Sequence, residues 1–354
     1  MKRTFQIIGL LLAMGAAAFT GCRFIDEDLS GCGAPLTVDY QLRLVTNMRM
    51  ELETVLSLNA DLELSTALET YLEGVFTDYA RDVDLSFYDT QGDMPILEHM
   101  SETMDATQSS YTLYIPVRNY MHTCVANIAQ ASQVSLEGKD FCRTGRLVQH
   151  AVDGVADPHE SGLFTARKRM DILAGVDQRL DVHLFMANAA TGLVLDKDPD
   201  ANYKDIRVEV TGFADGFNIA DSTYTYAAAS LSEGKDIRFR THPVQVENSD
   251  EVCYTSVHFP SRDLPGSKSV IETEEPFIAG EADEALWEWI VYVVLEDGTI
   301  TRTTLSLRTP LRAGQFKIVR AMVYEGGTVS TSNPLVGVSV TLDWQPGSDH
   351  QVEF

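Results

Sequence analysis

The sequence predicts a mainly β protein, built as two tandem β-sandwich domains with a short helix in the first. Three observations carry this. Apolar and polar residues alternate strictly in many short segments, the period of half-buried strands. Turn residues separate those segments, and helical periodicity is rare. The chain has 354 residues with 44% apolar content, enough for two cores.

The first alternating segment is Leu-Thr-Val-Asp-Tyr-Gln-Leu-Arg-Leu, residues 36 to 44. A helical interval follows. Thr66 and Glu69 have capping-box spacing, and Ala67, Leu68, Tyr71, Leu72 and Val75 fall on one helical face. Val83, Leu85 and Phe87 alternate again, and Asp89 to Gly92 ends that strand. Strands are predicted at Tyr111 to Val117 and near His122 to Ile128, and an irregular polar stretch over 129 to 160. A second set opens with Leu180, Val182, Leu184 and Met186, then Ile206, Val208 and Val210, and a turn-rich "TGFADGFN". Trp287, Trp289, Val291 and Val293 share one strand face, and Glu296 to Gly298 turn the chain into Thr299 to Leu307. Phe316 to Val323 and Val336 to Trp344 are the last strands, and "AGVDQ" near 172 to 178 is the natural boundary.

The N-terminus has its own logic. Lys2 and Arg3 precede an apolar run from Phe5 to Phe19, which is shorter than the ~20 residues of a membrane span and has a signal-peptide layout. Phe19-Thr20-Gly21-Cys22 then resembles the bacterial lipobox, with Phe19 in place of the usual Leu. The resemblance implies cleavage before Cys22 and acylation of its sulfur, with each buried methylene adding ~0.8 kcal/mol of membrane affinity. Asp26, Glu27 and Asp28 follow on a short tether and are similar to the surface-export signal of Bacteroidia lipoproteins.

Charge narrows the partners. Removal of residues 1 to 21 deletes two basic groups and no acids, so 25 basic and 52 acidic residues remain, net −27. Such a chain repels nucleic acid and anionic surfaces. Of the five cysteines, Cys32, Cys124, Cys142 and Cys253 remain after lipidation of Cys22. Four allow three pairings, and no paired Cys-x-x-Cys unit points to zinc. Cys32 and Cys124 border strands that look adjacent and are the first choice for a disulfide, with Cys124–Cys142 as the alternative and Cys253 as a buried thiol.

Enzyme chemistry finds little support. Asp196, Asp198 and Asp200 open like a calcium loop, but Ala201 and Arg207 stand where the Gly and Glu are needed. Ser232 and Lys235 have Ser-x-x-Lys spacing in a polar turn without companion motifs. Trp287 and Trp289 would make a sugar platform if exposed, but their alternation with Val291 and Val293 predicts a core face. No cofactor and no metal is expected.

Together the lipobox, "IDEDLSGCG", "FTDYARDVDLSFYDTQG", "RLDVHLFMAN", "IRVEVTGFADGFN" and "VGVSVTLDWQPGSDHQVEF" resemble, in that order, the FimB-like minor-fimbria anchor lipoproteins of Bacteroidia type V fimbriae. The resemblance extends over nearly all of the chain after the leader. It implies two transthyretin-like Greek-key sandwiches and no enzyme. In that family a stalk subunit loses its first strand to a protease and accepts a neighbour's strand, whereas the anchor keeps its own.

The resulting expectations are specific. Residues 1–21 form a signal peptide, 22–34 a lipidated tether, 35–175 the first sandwich and 176–354 the second. Leu36 to Leu44 is the retained strand. Val336, Val338, Val340, Leu342 and Trp344 lie in the chain's own fold and are partly available to a fimbrial stalk subunit, the expected partner besides the outer membrane. A stalk or tip subunit, cut after Arg43 or Arg49, is one alternative. A carbohydrate-binding surface lipoprotein is another, and a secreted hydrolase with clustered acids in a cleft a third.

Overall fold

A computed structural model describes residues 36–45, 62–76, 80–90, 98–103, 110–115, 117–129, 131–138, 145–173, 178–226, 237–246, 251–267, 278–333 and 336–343. The protein is mainly β. In chain order the elements are β1 (Leu36–Val45), α1 (Leu62–Val75), β2 (Asp82–Asp89), β3 (Glu98–Thr103), β4 (Ser110–Ile115), β5 (Asn119–Ala126), β6 (Val134–Glu137), β7 (Arg146–Gln149), β8 (Val155–Ala156) and β9 (Phe164–Asp171). Then come β10 (Gln178–Met186), β11 (Ala189–Lys197), β12 (Asp205–Thr211), β13 (Gly216–Asn218), β14 (Thr223–Thr225), β15 (Arg238–Arg240), β16 (His242–Gln245) and β17 (Val252–His258). The last are β18 (Trp287–Val294), β19 (Ile300–Leu307), β20 (Phe316–Val323), β21 (Val329–Ser330) and β22 (Val336–Asp343).

Four sheets result. A seven-stranded sheet runs β3-β2-β5-β9-β10-β1-β4, a five-stranded sheet β16-β17-β11-β20-β21, a six-stranded sheet β22-β19-β18-β12-β15-β8, and a small sheet β14-β13-β7-β6. The strand at 178–186, expected to open the second set, pairs in parallel with β1 and therefore sits in the first sheet. The chain segment at 172 to 178 links two neighbouring strands, β9 and β10, of that sheet.

The five-stranded sheet is a middle layer. On β11, Ala190 and Val194 join one core with α1 and the seven-stranded sheet. Ala189, Leu193 and Leu195 join a second core beneath the six-stranded sheet. On β20 Phe316 faces the first core, and Val319, Ala321 and Val323 face the second. β11 is thus buried on both faces and reads as a near-continuous apolar run rather than an alternation. A third core under the small sheet gathers Val134, Leu147, Phe217 and Ile219.

The helix begins earlier than its sequence signature. Thr66 lies in its interior rather than at its cap, and accepts a bond from the Thr70 hydroxyl at 2.9 Å through its carbonyl. Leu64, Leu68, Leu72 and Val75 form its buried stripe, each leucine contributing ~1.5–3 kcal/mol of burial. The predicted Ala67 and Tyr71 flank that stripe, partly buried. Trp287 and Trp289 are in the second core at 1% and 0% exposure, so the core-face reading holds and the sugar-platform reading fails. Gly212 bends the chain after β12 at φ +97°, where an added Cβ would lie 2.6 Å from the Leu286 carbonyl oxygen.

Candidate functional site

The sequence singled out the first and last strands. Both are in place, at contrasting positions. β1 is interior to its sheet. Val38 to Val45 pair in parallel with Gln178 to Phe185 of β10, and Leu36 to Gln41 pair antiparallel with Ile115 to Ser110 of β4. No described strand pairs β4 with β10 directly, so β1 fills a slot between them. A chain-terminal strand that joins two others as a central member leaves both edges unpaired when removed. Arg43, one of the two candidate protease sites, is paired with His183 inside this ladder.

β22 is an edge strand. Val336 to Asp343 run antiparallel to Leu307 to Ile300 of β19, so the segment belongs to the chain's own six-stranded sheet, as expected for the monomer. Val336, Val338, Val340 and Leu342 stand opposite Leu307, Leu305, Thr303 and Thr301. Val336 is buried at 7%, but Val338 and Val340 are 41% and 42% exposed. The inward face of the strand is covered at its start and uncovered farther along. The strand carries no proline and no charge before Asp343, so it lacks the usual protection of an exposed edge. Trp344 lies outside the described residues, as do Cys22, Cys32, Cys142, Arg49, Ser232 and Lys235.

Cys124 is fully buried on β5, opposite Leu85 and Ala166. β9 and β10 lie between β5 and β1, so the strands that looked adjacent in sequence are not neighbours. Cys253 is a buried thiol on β17, pushed up to about 12 by burial. Asp198 accepts the Asp200 amide at 3.0 Å, making a turn of the aspartate-rich segment.

A buried polar chain that the sequence reading missed ties the sheets together. The His159 Nε2–H donates to Gln149 Oε1 at 2.5 Å, and Asn188 Nδ2 donates to His159 Nδ1 at 2.5 Å. Asn188 Oδ1 in turn accepts the Leu163 amide. Nearby, His258 Nδ1–H donates to the Phe259 carbonyl at 2.8 Å, and its ring stacks on Phe213 with centroids 3.5 Å apart. The first three bonds tie β7 to the segment before β9 and to the residue that precedes β11, while the bond of His258 is local to the end of β17. They require one neutral tautomer, because each ring presents one donor and one acceptor nitrogen. Burial lowers both imidazoles to about 3. Four polar residues scattered over 110 positions carry no local sequence signature. The geometry suits a rigid joint and offers no nucleophile.

No family model matches the sequence, and no curated protein matches it in sequence. Solved structures do match. A provisionally assigned adhesin from Bacteroides ovatus is similar at a TM-score of 0.51 and 12% identity, over 88% of this chain and 96% of that one. The fimbrial anchor protein Mfa2 from Porphyromonas gingivalis gives a TM-score of 0.47 at 10% identity, over 86% of this chain and 98% of that one. At such identities the likeness is one of fold, and the fold of this chain is the multi-sheet β architecture of the Bacteroides ovatus protein.

Proposed function

We propose that the chain is an outer-membrane lipoprotein that anchors and terminates a surface fimbrium, joining a stalk subunit by strand addition. The observation that carries the reading is the occupied slot. β1 holds eight register pairs with β10 and six with β4, so the place a neighbour's strand would take is already filled from within. A subunit that cannot accept a strand there ends a polymer in that direction. Its own β22, on an unprotected edge with two half-exposed valines, supplies the contact in the other direction. Backbone pairing is indifferent to the acidic character of the chain, formally −25 over the full sequence. The lipobox-like Cys22 and the acids after it would hold and export the protein. The order of sequence motifs and the fold shared with an adhesin-type protein support the same reading.

The test is a pull-down of the tagged protein from detergent-solubilised outer membranes. Fimbrial subunits should co-purify in strand-stable complexes. Their absence, with the protein itself recovered intact, would refute the reading. The stalk alternative needs cleavage after Arg43 or Arg49, and Arg43 is inside a ladder paired on one side to His183 of β10, so a cut there requires the strand to leave first.

A further inference from the structure

A cleft of about 540 Å³ opens where the C-terminal turn of α1 meets the corner between β15 and β16. One wall is α1, with Tyr71 and Gly74. The opposite wall is the segment between β8 and β9, with Asp157 and Glu160. Arg240 ends β15 in the six-stranded sheet and His242 begins β16 in the five-stranded sheet, so the cleft lies where the two sheets are joined. The imidazole of His242 stacks on the Tyr71 ring, centroids 4.7 Å apart and 5° from parallel. Arg240 Nη1 meets Asp157 Oδ1 at 2.9 Å, and both side chains are mostly exposed, at 65% and 60%. Glu160 is exposed and close enough to Tyr71 to raise its hydroxyl pKa, after the larger effect of burial.

The chemistry of the lining narrows the ligand. The volume is within the range of small-ligand sites. Rings and aliphatic carbon share the lining with charged groups, which suits a ligand that has both an apolar face and hydroxyls. Two carboxylates face one guanidinium already paired with one of them, in a chain of formal charge −25, which disfavours an anion such as a phosphate or uronate. What remains is a flat aromatic–imidazole stack ringed by planar groups with spare donors and acceptors. Arg240 has further N–H groups, and Asp157 and Glu160 have carboxylate oxygens for hydroxyls. We propose that this cleft binds a short neutral oligosaccharide, with a sugar face on the His242–Tyr71 stack and its hydroxyls on Asp157, Glu160 and Arg240. The site is separate from β1 and β22, so it is independent of the anchoring reading.

Gly74 provides a clean test. A Cβ there meets nothing within 4 Å, so a larger side chain projects into open space above the helix. Gly74→Leu therefore obstructs the cleft while raising helix propensity. The detergent-solubilised full chain would be titrated by calorimetry with neutral glucan, mannan, galactan and N-acetylhexosamine oligomers, and with an oligouronate. Saturable binding of a neutral oligomer is expected. Gly74→Leu should abolish it with an unchanged or higher melting temperature. Arg240→Ala should weaken it by about tenfold, the loss of a charged hydrogen bond. The proposal is overturned if no neutral oligomer binds, if the oligouronate binds better, or if Gly74→Leu binds as the parent does. Cells carrying Gly74→Leu should keep their fimbriae, which separates failure here from failure of the anchoring reading.

Discussion

Acid should weaken this protein well before its carboxylates titrate, because three histidines are buried neutral. His122 is held at about 4, and His159 and His258 at about 3, all by desolvation first. Once unfolded, each returns to 6.5. Above pH 6.5 neither state binds these protons, and the full stability is present. Below it the unfolded chain takes up three protons that the folded chain refuses, so stability falls until pH 4 to 3. At 1.36 kcal/mol per unit, each histidine forfeits about 2 kcal/mol at pH 5, and the three together about 6. That is comparable to the whole stability of many domains, about 5–15 kcal/mol. At His159 the hydrogen bonds agree with the direction, since protonation would set an N–H against the Asn188 amide donor; at His122 the bond to the Ser86 carbonyl favours the charged form, and burial outweighs it. Urea unfolding followed by tryptophan fluorescence at fixed ionic strength, from pH 8 to 5, measures the effect. The free energy should be flat above pH 7 and fall by about 4 kcal/mol per unit below pH 6, the slope for three protons. His122→Phe, against the Phe87 ring at 4.3 Å, should reduce that slope by about one third. Stability unchanged between pH 7 and 5, or ring signals assigned to His122, His159 and His258 titrating near 6.5 in the folded protein, would refute the reasoning.

Three further outcomes follow from other features. Gly212→Ala should destabilise by about 2 kcal/mol or more, since it adds a Cβ at positive φ and 2.6 Å from a backbone oxygen; thermal unfolding checks it. Deleting residues 335–354 should leave a folded, membrane-bound protein that no longer retains fimbriae, read by electron microscopy and by shed fimbriae in the medium; a folded truncation that still holds them sinks strand donation. Mass spectrometry of the mature N-terminus should find acylated Cys22, and an unmodified cysteine or a different start excludes the lipid anchor.

Much of the fold was legible where one sheet face meets a core and the other does not. The Trp287 to Val293 alternation, the turn at Asp297–Gly298 and the last strand all emerge as read, because period-2 patterning records one-sided burial. β11 was not legible. It is buried on both faces, so its sequence AATGLVLDK does not alternate, and Ala and Gly have low strand preference. Missing it hid the middle sheet. The short strands β6 and β7 lie in a stretch read as irregular; β6 pairs with β7, and β7 joins the distant β13 only by tertiary contact. Of the site, the identity of both terminal strands was legible, but β1's parallel partner was not. Nothing local in either strand records a partner 140 positions away. The Tyr71–His242 cleft was also invisible, for its residues come from three distant segments.

The parallel register of β1 and β10 has a mechanical side. If a tether pulls on residue 36 along the strand axis while a fimbrium loads the other end of the molecule, β1 is drawn lengthwise past β10 and β4. The eight pairs on one side and the six on the other then resist together, rather than peeling open one after another as in a hairpin pulled from its end. The same strand that fills the slot would thus bear tension in shear, the loading direction in which a β ladder yields last.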